Sequence, residues 1–129
     1  MIQVESQGKT INTLMQIWDT AGAELYQTIT NTYYKGSSAV FIVFDLNNTE
    51  SFQKCKFYIE NVQQHCLEDV LKNLTILIGT HLSDERKVTT DEALFFTKQY
   101  NILYSEVNKD TNVDDILHTM AKRYIQLCE

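Results

Sequence analysis

The chain has 129 residues, 43% of them hydrophobic and 22% charged, which suits one globular domain with its own core. A formal net charge of −6 argues against a nucleic-acid partner and against attraction to an anionic membrane surface. No apolar run approaches the ~20 residues that span a bilayer and no secretory signal is read at the start. The three cysteines, Cys55, Cys66 and Cys128, lack Cys-x-x-C spacing and read as reduced thiols of an intracellular protein.

Ile2 and Val4 alternate with polar residues, Gln7-Gly8 supplies a turn, and a longer strand follows over 11–18, from Ile11 to Trp18. This pattern predicts a β-hairpin. Gly8-Lys9-Thr10 copies the last three residues of a phosphate-binding loop. A working loop needs a glycine five residues earlier, where Gln3 stands, and a helix behind it, where Thr10 instead opens a strand. The tripeptide therefore reads as a hairpin turn.

Ile17-Trp18-Asp19-Thr20-Ala21-Gly22 runs a strand into an acidic residue and then a glycine. That order puts a carboxylate at the carboxyl end of a strand, where open α/β sheets bind ligands. The glycine lets the backbone approach a ligand or turn sharply. The spacing of Tyr26, Ile29 and Tyr33 predicts a short amphipathic helix, broken by Ser37-Ser38. Residues 39–44 form a continuous apolar run ending at Asp45, as expected of a parallel strand buried on both faces.

Asn47-Asn48-Thr49 is turn and N-cap chemistry, and the next helix carries Phe52, Cys55, Ile59 and Val62 on one stripe. Residues 74–78 form another buried strand, ending at Gly79. Thr89 with Glu92 has capping-box spacing and opens a helix through Tyr100, with Leu94, Phe95 and Phe96 available for the core. Residues 102–104 read as a short strand. Val113, Ile116, Leu117, Met120, Tyr124 and Leu127 mark a last amphipathic helix, capped by Thr111 or Asn112. Alternating strands and helices predict an α/β fold, a mostly parallel sheet covered on both faces, entered by an antiparallel hairpin.

Taken with Tyr33-Tyr34-Lys35-Gly36, the run from Phe41 to Asp45 and Glu50-Ser51-Phe52, the element from Asp19 to Gly22 resembles that of Ras-superfamily small GTPases, closest to the Rab branch. The resemblance covers nearly all of the chain and implies a truncated Ras-like (P-loop GTPase) three-layer sandwich, one domain over 1–129. It makes Asp19 and Gly22 remnants of the motif that senses Mg²⁺ and the γ-phosphate, and residues 23–34 the second switch. The family's first strand, phosphate loop, first helix and first switch would precede the hairpin. Family topology places that first strand between the strand at 11–18 and the one at 40–44. An empty slot there would leave unpaired buried backbone groups at roughly 1–3 kcal/mol each. Three resolutions are open: the flanking strands close up, a partner donates a strand, or the polypeptide is longer.

GTP hydrolysis is mostly positioning and electrostatics. By the resemblance, the water-orienting glutamine falls on Ala23, whose methyl group makes no hydrogen bond. The guanine-specificity motif Asn-Lys-x-Asp falls on Thr80-His81-Leu82-Ser83, and the final Ser-Ala-Lys on Glu106-Val107-Asn108. Thr80, His81 and Ser83 are thus remnants of a guanine motif. Without phosphates to share it, Asp19 would be a weak Mg²⁺ ligand, better suited to strand-end hydrogen bonding. His65, His81 and His118 fall on separate elements without metal-ligand spacing, so no catalytic residue and no metal is assigned. Cys128-Glu129 offers no prenylation pattern and hence no direct membrane anchor.

The expectation is a non-catalytic Rab-like pseudo-GTPase, a protein-interaction or structural subunit of a larger cytoplasmic, cytoskeletal or organellar assembly. No cofactor is expected. Partner contact is assigned to Leu25, Tyr26, Ile29, Tyr33 and Tyr34, aromatics and aliphatics of the kind that anchor interfaces. A further candidate partner is one completing the sheet beside 11–18. The alternative is a fragment or divergent member of an active Rab GTPase of intracellular transport, which would bring GTP and Mg²⁺ back in.

Overall fold

The computed structural model describes residues 2–17, 37–66, 68, 74–81 and 85–128. Strands β1 (Ile2–Ser6) and β2 (Lys9–Thr13) pair antiparallel, from Ile2↔Thr13 to Ser6↔Lys9. The turn between them holds Gln7 at φ 52° and Gly8 at φ 75°. Two successive left-handed residues form the primed turn whose twist matches a hairpin. Lys9 and Thr10 are strand residues, so the apparent phosphate-loop tripeptide is a hairpin turn. β2 stops at Thr13, short of the expected 11–18, and Leu14 and Ile17 beyond it are exposed. Trp18 and the helix expected after Gly22 lie outside the described residues.

β3 (Val40–Asp45), β4 (Thr75–His81) and β5 (Leu103–Asn108) form a parallel sheet in that order. Helices α1 (Thr49–Gln53) and α2 (Cys55–His65) lie between β3 and β4 in the chain, and α3 (Thr90–Tyr100) between β4 and β5. Helix α4 (Val113–Cys128) follows β5. The caps are those the sequence specifies. Asn48 accepts from Ser51 N at 3.2 Å, and Thr89 accepts from Glu92 N at 3.1 Å. Asn112 Oδ1 takes Asp114 N at 3.1 Å at the start of α4.

β4 is covered on both faces, as a parallel strand must be. Leu77 packs with Ile42, Phe44, Ile59 and Val62 on the side of α1, α2 and α3. Ile76 and Ile78 pack with Ile116 and Met120 of α4 on the other. A second side of α4 holds the hairpin, with Val4 against Ala121 and Ile125, and His118 Nε2 lies 3.0 Å from Gln3 O. β2 and β3 are not paired, so among the described residues the flanking strands have not closed up.

Three core assignments need correction. Leu94 and Phe95 are 46% and 73% exposed, while Ala93 and Thr97 are the buried residues of α3. Each helical step turns about 100°, so the face set by Ala93, Phe96, Thr97 and Tyr100 leaves Leu94 and Phe95 pointing away. Val43, expected to be covered on both faces of its strand, is 55% exposed, whereas Phe41 packs against the cluster that Ile116 and Met120 of α4 join. Val113, Tyr124 and Leu127 of the α4 stripe are likewise exposed, since the helix divides its apolar residues between sheet and hairpin.

A left-handed φ costs a residue with a Cβ on the order of 1 kcal/mol. Gln7→Asn is therefore expected to raise stability by about 0.5–1 kcal/mol, read as a higher urea midpoint at unchanged slope. Gly8→Ala, though surrounded by open space, should shift it the other way because of its φ.

Candidate functional site at the carboxyl ends of the parallel strands

The parallel register brings two separate sequence motifs to one edge. Asp45 sits beside Thr80, Gly79 beside Glu106, Thr80 beside Val107, and His81 beside Asn108. Thr80 and His81 are thus adjacent to the Glu106-Val107-Asn108 segment, where open α/β sheets take their ligands. Thr80 Oγ1 donates to Phe44 O at 3.0 Å. His81 is the last residue of β4, half-buried, and its Nδ1 is shielded from solvent without a hydrogen-bond partner. Asp45 Oδ1 accepts from Asn47 N at 2.8 Å.

Glu106 is the most heavily bonded side chain of this edge. Arg86 reaches it in a two-pronged pair, Nη1 to Oε1 at 3.0 Å and Nη2 to Oε2 at 2.7 Å. Tyr104 Oη donates to Oε2 at 2.6 Å and Thr90 Oγ1 to the same oxygen at 2.9 Å. Arg86 is itself held by Nε to Val88 O at 2.6 Å and Nη2 to Thr90 Oγ1 at 2.8 Å. Tyr104 and Glu106 stand two apart on one strand face, which is why both reach the same place. Gly79 permits the crossing: a Cβ there would lie 2.9 Å from Leu46 Cδ2 and 3.0 Å from Tyr104 Oη.

The electrostatics follow the bonds. Hydrogen bonds from Arg86 first, then from Tyr104 and Thr90, lower the Glu106 carboxyl to about 2 against the opposing effect of burial. Burial, then the neighbouring carboxylate, raises the Tyr104 phenol above its usual range. The hydrogen bond to Glu106 likewise raises Arg86. Neither of the two inner thiols is activated: burial pushes Cys55 up to about 12 and Cys66 up to about 11.

Of the residues singled out in the sequence, the structure brings Thr80 and His81 together. Asp19, Gly22, Ser83, Leu25, Tyr26, Ile29, Tyr33 and Tyr34 lie outside the described residues. Arg86, Thr90 and Tyr104 were not singled out. The spacing of two between Tyr104 and Glu106 was a readable signal, whereas nothing local marks Arg86, twenty residues away. Among the described residues no group of three histidine, cysteine or carboxylate side chains is placed to hold a metal, and His65, His81 and His118 sit on α2, β4 and α4. No helix among them is long and apolar enough to cross a membrane.

Among the described residues no strand pairs with the outer edge of β3. Val40 N donates to Leu74 O and Leu46 N to Thr80 O, each at 2.9 Å. In a parallel ladder alternate residues face the neighbouring strand. Phe41, Val43 and Asp45 therefore turn their backbone groups to the opposite edge. Ser51 Oγ closes the last of these, accepting from Asp45 N at 2.9 Å. Phe41 and Val43 remain.

A parallel three-stranded sheet between helical layers, entered by an antiparallel hairpin, defines a Ras-like architecture. The Ras family model matches residues 1–126, and the chain belongs to that family, on its Rab-like side. It is 38% identical over 93% of its length to the GTP-binding protein YPT1 of Saccharomyces cerevisiae. It is 34% identical over 92% to the GTP-binding protein ypt2 of Schizosaccharomyces pombe, and 33% identical over 92% to the Ras-related protein Rab-8B of Pongo abelii. The chain spans 57–59% of the length of these curated relatives.

Charge-assisted hydrogen bonds to a partly exposed carboxylate predict that Glu106→Gln lowers stability by about 1–2 kcal/mol at neutral pH. An unfolded glutamate titrates near ~4.3, and the folded value is about 2. The wild-type advantage is thus complete above the unfolded value and lost as pH falls through the folded one. Urea unfolding of both proteins from pH 7 to pH 2 checks this, with the difference closing in that window.

Proposed function

We propose that the chain acts as a non-catalytic, Rab-like pseudo-GTPase: a protein-interaction or structural subunit of an intracellular assembly. The observation that carries this reading is the Glu106 network. At the first position of the base-contacting Ser-Ala-Lys motif that the family resemblance expects stands a carboxylate whose oxygens already hold four hydrogen bonds from within the chain. Thr80, in place of the motif's asparagine, spends its proton on Phe44 O. A guanine would meet a negative charge here whose oxygens are already engaged, and Ser83 in place of the motif's aspartate has no carboxylate to accept the ring protons, so these residues do not fit that base. Ala23 in place of the water-orienting glutamine points the same way.

The partner in this reading adds a strand beside residues 11–18, along the edge of β3 that no described strand pairs with. Phe41 and Val43 offer it their backbone groups, and exposed Leu14, Ile17 and Val43 offer apolar cover. The residues from Leu25 to Tyr34 supply a second contact. A second reading has support of its own. Two of the relatives are named as GTP-binding proteins, and the chain spans little more than half of them. Under it, the chain is part of a longer Rab that binds GTP with Mg²⁺ in intracellular transport.

Isothermal titration of the purified chain with GTP and Mg²⁺ separates the two. The proposal expects no binding at micromolar nucleotide. A dissociation constant of about 1 μM or tighter would overturn it. Hydrogen exchange tests the edge: the Phe41 and Val43 amides should exchange well ahead of those of Ile42 and Phe44 in the free chain. In an assembly purified from the native source they should slow to match, and unchanged rates there would sink the strand-donating partner.

A further inference from the structure

We propose that the cleft between α1 and α3 docks a basic amphipathic segment of a partner protein, an aliphatic side chain resting on Phe52, Phe95 and Phe96 and a lysine or arginine reaching Asp91 and Glu92. The cleft has a volume of about 480 Å³ and is lined by those five residues and Gln99. It lies on the side of the sheet away from α4 and the hairpin, so it is separate from the β3 edge, and it does not depend on the pseudo-GTPase reading.

Three observations define the occupant. Phe95 is 73% exposed and Leu94 beside it 46%, so α3 carries an uncovered apolar ridge. The floor under the ridge is firm. Phe44, Phe52, Phe96 and Tyr100 contact in sequence with ring centroids 5.0, 5.7 and 4.9 Å apart, tying the cleft to the buried core. A preformed aromatic surface binds without having to be ordered first.

The third observation is charge. Asp91 and Glu92 are the only ionisable groups lining the cleft. Among the described residues neither is seen in an ion pair. Their place in the first turn of α3 suits the helix dipole, but the dipole gives no reason for the phenylalanines beside them. An acidic rim on an apolar floor is complementary to a cation next to an aliphatic anchor, and an arginine would also stack on the open face of Phe95. The same rim, on a chain of net charge −6, repels a second copy and an anionic membrane.

The test uses the full chain and two short helical peptides. One carries leucines four residues apart flanked by arginines, and the other has glutamates for the arginines. Amide chemical-shift titration should give the arginine peptide a Kd on the order of 100 μM or tighter, with shifts centred on Phe52, Asp91, Phe95 and Gln99. The glutamate peptide should bind at least about tenfold more weakly. Phe95→Ala and Asp91→Lys should each weaken the arginine peptide about tenfold or more, and added salt should weaken it further. Both side chains are exposed, and retained shift dispersion confirms the fold of each variant. No binding by the arginine peptide, equal binding by both, or indifference to Phe95→Ala would overturn the proposal. So would a chain dimer, or adsorption to phosphatidylserine vesicles, that Phe95→Ala abolishes.

Discussion

The burial of β4 on both of its faces is the constraint from which the other elements take their places. Thr75, Ile76, Leu77 and Ile78 are all shielded from solvent, and the strand is hydrogen-bonded on both sides. A strand with no wet face demands helices above and below, and parallel neighbours demand crossovers to supply them. α2 and α3 therefore lie against Leu77, and α4 against Ile76 and Ile78. The same strand then delivers Gly79, Thr80 and His81 to the carboxyl edge. The small residue at its exit lets Leu46 and Tyr104 approach closely. A larger residue there would press on Tyr104, and through its hydroxyl on Glu106, so core packing and the chemistry of the edge are one problem.

α4 carries a different burden. Its Ile116 and Met120 serve the sheet while Ala121 and Ile125 serve the hairpin, and the two sheets share no described strand pairing. On β3 itself Val43 stays bare while Ile42 and Phe44, facing the opposite layer, are sealed. The edge of β3 is further limited by Ser51, whose hydroxyl takes the place of a neighbouring strand at Asp45. Any added strand thus has a defined end stop, with Phe41 and Val43 as its whole ladder. So short a ladder gives few hydrogen bonds, and apolar cover over Val43 and Ile17 would have to supply much of the affinity.

What the sequence discloses and what it withholds divide along a physical line. The hairpin turn at Gln7-Gly8, the caps at Asn48 and Thr89, and the stripe of Cys55, Ile59 and Val62 are decided by residues within a few positions of one another, and all are read correctly. The continuous apolar run at 39–44 announces a parallel strand for the same reason. Leu94 and Phe95 mislead because hydrophobicity alone does not fix which way a helix rolls. In α3 that choice is made by Ala93 and Thr97, small enough to let the helix sit close to the sheet. The Glu106 site fails for a longer-range reason. Its partners come from Arg86, Thr90 and Tyr104, joined only by the parallel register of β4 with β5, and no local pattern records that register. Thr80 and Glu106 do fall on one strand edge, but the bonds there come from residues between them in the chain.

The two uncovered apolar regions differ in what they can ask of a neighbour. At β3 the open groups are backbone donors and acceptors beside Val43, so a neighbour must be extended, and its identity is set by strand geometry more than by side chains. At α3 the backbone is fully committed to the helix and only side chains are presented, aromatic below and acidic at the rim. A neighbour there can keep its own secondary structure and is selected by shape and charge. Because the buried aromatic series from Phe44 to Tyr100 underlies the cleft while Val43 points to the other face, engagement of one region leaves the other free. Two faces of unlike chemistry would let the chain join two different neighbours at once, which the subunit role proposed above requires.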